Sequence, residues 1–333
     1  MNSTNRRSRT YPHAGAGARE ALASITPVSS AAAIGSEPCV VCGGRDLRLR
    51  HRAAGAVGGD GLIPTTSQFG TALGDIARCE ACGHMQLRPL PAETALDAAY
   101  GEAESEDYVE EVAGQRETAR RTLARVERHV APGALLDVGA WVGYLVAEAT
   151  ARGWTATGIE PSAFASGFAR EHLGVDVRTG GLFDTELPVG AFDAVTMGDV
   201  LEHLVRPDAA LERIAGLLRP GGVLWLALPD AGSRVARLMG RRWWSVIPTH
   251  VQYFTRGSVA TLLRRGGFEV LEIGTAPKAF TVGYYLDRVG GYSRPVAGAL
   301  TGAARAVGIA DRMWAPDFRD RMMVIARGPA AAG

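Results

Sequence analysis

From residue 134 onward the chain alternates short, wholly apolar runs with longer stretches whose apolar residues recur at helical spacing. The apolar runs predict strands at 134–138, 154–159, 175–178, 192–197, 223–228 and 268–274, with a last one at 321–326. Helices are predicted between them at 142–152, 161–173, 207–218 and 257–265. Strand and helix alternating over short connections indicate an α/β domain with a mostly parallel sheet, seven strands here, covered by helices on both faces. The last strand follows only after an insertion at about 275–320. Upstream, 112–130 reads as a charged helix with Leu123 and Val126 on its buried side. A short helix at 91–100 precedes it, followed by an acidic run containing Glu102, Glu104, Glu106, Asp107, Glu110 and Glu111, so that 91–130 reads as a helical linker or lid.

Two segments break the pattern. Residues 37–90 are rich in glycine and poor in large apolar side chains, so that loops and a metal are expected to hold them together. Residues 1–36 carry Arg6, Arg7, Arg9 and Arg19 among many Ala and Ser, without periodicity, and read as a disordered tail. They contain no sustained apolar run of the kind a secretory signal needs.

A chain of 333 residues, 47% of them hydrophobic, has room for one large core and one small module. Lys+Arg number 36 against 35 Asp+Glu, so no global field draws the protein to nucleic acid or to an anionic membrane. The stretch nearest to a membrane segment, 296–310, contains Arg305 and is shorter than the ~20 residues of a membrane span. A soluble, cytoplasmic protein is expected. All four cysteines fall in two C-x-x-C pairs, Cys39/Cys42 and Cys79/Cys82, each followed by glycine. Such knuckles turn two sulfurs toward one ion, and two of them make a closed tetrahedral site for structural Zn2+ in a zinc-ribbon module. His84 could substitute as a ligand, but four sulfurs suffice.

The first strand of the α/β region, Leu135-Leu136-Asp137-Val138, runs into Gly139-Ala140-Trp141-Val142-Gly143 and then a helix. Glycines there let the backbone approach a ligand beyond the carboxyl end of the sheet. The second strand ends in Gly158-Ile159-Glu160-Pro161, which places a carboxylate where it can accept hydrogen bonds from both hydroxyls of a ribose. Together with Phe192-Asp193-Ala194-Val195-Thr196-Met197-Gly198-Asp199-Val200-Leu201-Glu202-His203 and Leu217-Leu218-Arg219-Pro220-Gly221-Gly222, these segments resemble the class I S-adenosylmethionine-dependent methyltransferases over roughly residues 100–327.

The resemblance implies a Rossmann-like methyltransferase fold and S-adenosyl-L-methionine as the methyl donor. It implies Asp137, Gly139 and Gly143 at the methionine end of that cofactor and Glu160 at its ribose. Gly181, Leu182 and Phe183 would lie by the adenine, and Met197, Gly198 and Asp199 beside the sulfonium and the acceptor entrance. One residue departs from the family's G-x-G-x-G turn: Trp141 stands at its middle glycine. A bulky side chain does not readily take positive φ, so a slightly different backbone is expected there.

Two histidines are candidate catalytic residues. His203 lies four residues after Asp199, and both are expected at the head of a helix facing the cofactor edge. His250 lies in Arg241-Arg242-Trp243-Trp244-Ser245-Val246-Ile247-Pro248-Thr249-His250-Val251-Gln252-Tyr253-Phe254, on the ligand side of the fifth strand, with its aromatic neighbours expected in the core. That stretch resembles methyltransferases of sugars, glycans and bacterial secondary metabolites. A small-molecule acceptor is therefore expected. An RNA-base methyltransferase that uses the ribbon to bind RNA is the alternative, disfavoured by the absence of a dense basic stripe. A binding protein with a decayed cofactor site is the other, and Trp141 alone speaks for it.

Overall fold

The computed structural model of the chain describes residues 37–52, 69–92 and 111–330. The tail 1–36, nearly all of the helix expected at 91–100 and the acidic run up to residue 110 lie outside the described residues. Three strands, β1 (Leu47–His51), β2 (Asp75–Cys79) and β3 (Met85–Arg88), carry the cysteine region. After the helix Val112–Val126 come β4 (Ala134–Val138), β5 (Thr155–Glu160), β6 (Val177–Thr179), β7 (Phe192–Gly198) and β8 (Leu218–Pro229). They are followed by β9 (Gln252–Tyr253), β10 (Glu269–Thr275), β11 (Phe280–Thr281), β12 (Met313–Trp314) and β13 (Arg321–Arg327).

The central sheet has seven strands in the order β10-β13-β8-β7-β4-β5-β6. Only β13 runs antiparallel to its neighbours, β8 and β10. This is the mostly parallel sheet that the alternating pattern predicted, in the Rossmann-like methyltransferase fold that the family resemblance implied. Strands β5 and β6 extend the sheet to one side of β4, while β7 and β8 extend it to the other. The direction of winding therefore reverses between β4 and β7. Ligands of open α/β sheets bind in the crevice that such a reversal opens beyond the strand ends.

Element boundaries moved where glycine or proline intervenes. The first predicted helix starts at Tyr144 because Gly143, at φ +80, is its N-cap and cannot be part of it. The helix predicted at 161–173 begins behind Ser162, whose side chain accepts from the Ala165 N–H, and gives way after Phe168 to a π-turn over Ala169–Leu173. The charged helix stops at Val126, with Leu123 and Val126 fully buried beneath the sheet as the spacing predicted.

The insertion folds as the two-stranded β11–β12 ladder with the helices Val282–Arg288 and Arg294–Ala306. It sits against the helix Val112–Val126 at Gly114, where a Cβ would lie 2.3 Å from the Ala279 carbonyl oxygen. Only glycine permits that approach.

The cysteine region is not self-contained. Its sheet runs β1-β2-β3-β9, so its last strand comes from the segment that carries His250. Ile76 and Leu87 share a buried cluster with Trp243, Val251 and Tyr253. Cys39, Val41 and Cys79 share another with Phe254, Leu262 and Leu263. A segment too poor in apolar residues to build its own core is thus supported by the larger domain as well as by its cysteines.

Candidate active site and metal centre

Two adjoining cavities, of about 450 and 550 Å3, open at the carboxyl ends of β4 and β7 and share Gly139, Trp141, Gly198, Asp199, Lys278 and Arg321. Asp137 lines the first. Glu160, Gly181, Leu182, Phe183, His203 and His250 line the second. Ten of the twelve candidate cofactor and catalytic residues therefore come together around one crevice. Gly143 and Met197 do not reach it: Gly143 caps the following helix, and the Met197 side chain is buried in the main core.

Asp137 and Thr196 stand in register on neighbouring strands, and the Thr196 hydroxyl donates to Asp137 Oδ1 at 2.7 Å. Burial pushes the Asp137 carboxyl up to about 7; the threonine hydrogen bond opposes the rise and the charge of Glu160 adds to it. The folded chain therefore keeps a proton that the unfolded chain, titrating near 3.8, has already lost. Stability from this group is complete at low pH and declines as pH rises toward 7. Asp137→Asn is accordingly expected to stabilise the cofactor-free protein at about pH 8 by on the order of 2 kcal/mol, with a smaller gain at about pH 5. Thermal melts at the two pH values, without cofactor, check this.

At the turn, Gly139 has φ +72, and a Cβ there would fall 2.4 Å from Val200 Cγ2. Trp141 corrects the expectation drawn from the sequence. Its φ is +48, so the tryptophan itself takes the left-handed conformation instead of shifting the backbone. Such a conformation costs a non-glycine residue roughly 1–2 kcal/mol. Two contacts offset it: the Trp141 N–H donates to Glu160 Oε2 at 2.9 Å, and the ring packs against the cluster of Val142, Tyr144 and Ala165. Glu160 Oε1 accepts from the Ser162 N–H, also at 2.9 Å. Burial raises the Glu160 carboxyl while these two backbone donors act the other way. Each carboxylate oxygen keeps capacity for one further donor.

Asp199 and His203 are not one turn apart on an α-helix, which corrects a second expectation. Asp199 has φ +57 and precedes a 3-10 turn, Leu201–His203. The aspartate is gripped by Lys278 Nζ at 2.6 Å and Arg321 Nη1 at 2.5 Å. Burial opposes its ionisation, yet these two cations hold it well below the usual carboxylate range. The sequence reading missed both partners. Lys278 carried a signal, being the only lysine in the chain, whereas Arg321 is one of 35 arginines and carried none.

His203 and His250 pack edge to face with ring centroids 4.6 Å apart. His203 Nδ1 lies 2.9 Å from the Thr249 carbonyl and His250 Nδ1 lies 2.8 Å from that of Ser245. A carbonyl only accepts, so each Nδ1 carries the hydrogen and Nε2 is the lone-pair nitrogen. Burial lowers His203 to about 4 and holds His250 well below its ordinary value, so both rings are neutral near pH 7. Of the neighbouring aromatics, Trp243, Tyr253 and Phe254 are core residues as expected. Trp244 instead lines the second cavity, its indole N–H donating to Asp320 at 2.7 Å.

The four cysteine sulfurs lie within 4.8 Å of one another, with Cys39–Cys82 at 3.7 Å and Cys42–Cys79 at 3.6 Å. Four thiolates at about 2.3 Å from one zinc ion stand about 3.8 Å apart, so this donor set fits a tetrahedral ion. His84 is not part of it: its Nε2 lies 2.9 Å from Gln252 Oε1, and its ring packs on Phe254 at 4.7 Å.

Known proteins place this geometry in a class. A model of the family described as a methyltransferase domain matches residues 109–273. Ubiquinone biosynthesis O-methyltransferase from Dechloromonas aromatica (strain RCB) is 36% identical over 102 residues, 28% of this chain and 43% of that one. The enzyme of the same name from Xanthomonas campestris pv. campestris (strain B100) is 42% identical over 105 residues, 29% of this chain and 43% of that one. The chain thus spans less than half the length of these curated relatives. Among solved structures, 1,6-didemethyltoxoflavin-N1-methyltransferase from Burkholderia thailandensis is 18% identical with a TM-score of 0.46, covering 74% of this chain and 96% of that one. The chain carries a class I S-adenosylmethionine-dependent methyltransferase domain. Among the described residues no helix is long and apolar enough to cross a membrane.

Proposed function

We propose that the protein transfers a methyl group from S-adenosylmethionine to a small-molecule acceptor, with zinc held by Cys39, Cys42, Cys79 and Cys82 in a structural role. The observation that carries this reading is the crevice itself. It joins a buried acid at the end of β4, a carboxylate with spare acceptor capacity at the end of β5, and two neutral imidazoles across the cavity. When bound, S-adenosylmethionine supplies a methyl group on a sulfonium, open to in-line displacement. On this reading Glu160 accepts the ribose hydroxyls, and Asp137 and Gly139 face the methionine end. Gly181, Leu182 and Phe183 cover the adenine. Gly198 and Asp199 border the acceptor entrance, where Asp199, neutralised by Lys278 and Arg321, fixes the wall. Met197 and Gly143 act from behind, as core and cap.

The acceptor must give up a proton, and His203 and His250 are the groups that lower the cost of its removal. Trp244, Tyr284 and Arg288 also line that cavity and help to exclude water. A cavity of this size suits a compact molecule. The names of the ubiquinone biosynthesis relatives favour a small oxygen acceptor over RNA, as does the chain's charge balance.

The test is calorimetric titration with S-adenosylmethionine, followed by metabolite profiling of a deletion strain for a species lighter by one methyl group. With that acceptor in hand, His250→Ala is expected to lower kcat by roughly a hundredfold while cofactor affinity stays nearly unchanged. A rise in KM alone would make His250 a wall of the pocket. Methyl incorporation into RNA, with steeply salt-dependent binding, would replace the small-molecule reading.

A further inference from the structure

Glu202 is the least explained residue near the crevice. It is 1% exposed, and neither of its carboxylate oxygens has a hydrogen-bond partner. A buried carboxylate without partners is costly, so such groups are normally paired or bound to a metal. The two cations whose charge acts on it, Lys278 and Arg321, are both engaged with Asp199. A Glu202 oxygen, one ring nitrogen of His203 and one of His250 all lie within 4.8 Å of one another.

We infer that Glu202, His203 and His250 form a second metal site, for a divalent first-row cation, in the wall of the acceptor cavity. The histidine geometry carries the inference beyond mere proximity. Metal-bound histidines almost always donate their other ring N–H to a carbonyl or carboxylate, which fixes ring and tautomer. Both rings here do so, to Thr249 and Ser245. The backbone also ties the two arms of the site together, because the Val251 N–H donates to the Glu202 carbonyl at 3.0 Å. Two imidazoles and one carboxylate form a nitrogen–oxygen set that suits iron(II), manganese, cobalt, nickel or zinc and leaves coordination positions open. Both histidines line the cavity, so a cation held by them would border it.

The role of the cation rests on the methyltransferase reading; its binding does not. A hydroxyl of the acceptor bound to the cation would release its proton to water near neutral pH. The oxygen so formed attacks the methyl carbon as the carbon–sulfur bond breaks. The two histidines then act through the cation, as ligands.

The experiment uses the full chain, freed of metal by chelation under reducing conditions and titrated with cobalt(II) alone. The parent is expected to take up two equivalents. One shows thiolate-to-metal charge transfer, and the other shows only the weak bands of a nitrogen–oxygen site. Glu202→Gln and His250→Ala should each weaken the second by roughly a hundredfold or more, beyond what loss of an outer partner causes. The thiolate band, unchanged, serves as the control for folding. A single equivalent in the parent, or a second equivalent retained by both variants, overturns the site. Titration of the untreated parent with S-adenosylmethionine, run alongside, tests the methyltransferase reading separately.

Discussion

Removing the metal from the four cysteines is expected to melt much more than the small sheet that carries them. Structural zinc contributes roughly 10 kcal/mol or more to the folding of small modules, as much as the whole stability of many domains. Here the loss spreads because the cysteine region and the larger domain share a sheet and two buried clusters. If β1–β3 come apart, β9 loses its pairing with Met85 and Gln86, and the Val251 carbonyl loses the Leu87 N–H that it accepts at 2.9 Å. Val251, Tyr253 and Phe254 would then meet water, at about 1.5–3 kcal/mol for each large apolar side chain. Cys39→Ser and Cys82→Ser should therefore abolish zinc binding at this cluster and lower the main melting transition by on the order of 10 °C. Metal analysis and scanning calorimetry of the parent and variants measure both quantities. A parent that holds no metal under reducing conditions would refute the structural assignment, and an unshifted main transition would refute the coupling.

Periodicity made the sheet legible, since strands buried on both faces read as unbroken apolar runs and the helices between them follow their own spacing. The cysteine cluster was legible for a different reason, because C-x-x-C spacing constrains local geometry whatever the fold around it. Long-range partnership was not legible. No local pattern says that the segment after Thr249 supplies β9 to the cysteine sheet, since a two-residue strand is too short to show a period. Nor does spacing reveal that Lys278, in the insertion, and Arg321, in the last strand, converge on Asp199. Reading Asp199 and His203 as one helical face failed because Asp199 takes a left-handed backbone and a 3-10 turn follows. Trp141 failed in the opposite sense. Residue type forecast an altered turn, but the surrounding hydrogen bonds and packing hold the tryptophan where glycine usually sits.

Glu160→Ala is expected to weaken S-adenosylmethionine binding by roughly a hundred- to a thousandfold, more than the loss of a ribose contact alone. On the proposed reading the carboxylate does two things at once. Hydrogen bonds from ribose hydroxyls to a charged acceptor are worth about 1.5–3 kcal/mol. The same group also holds the Trp141 and Ser162 N–H groups, one on each oxygen. Its loss removes the acceptor that holds Trp141 in its left-handed backbone, at φ +48. The turn would then relax toward negative φ and carry Gly139 and Ala140 out of line, for a further cost of about 1 kcal/mol. Glu160→Gln should fare little better, because its amide nitrogen would face one of the two backbone donors. The two contributions separate in a double substitution. Glycine takes positive φ freely, so adding Trp141→Gly to Glu160→Ala should recover about fivefold in affinity, the share owed to the turn, while the ribose share stays lost. Calorimetric titrations of the parent, both single variants and the double variant give the coupling directly. Affinity unchanged in Glu160→Ala would remove Glu160 from the cofactor site, and additive losses in the double variant would show that the turn stands without it.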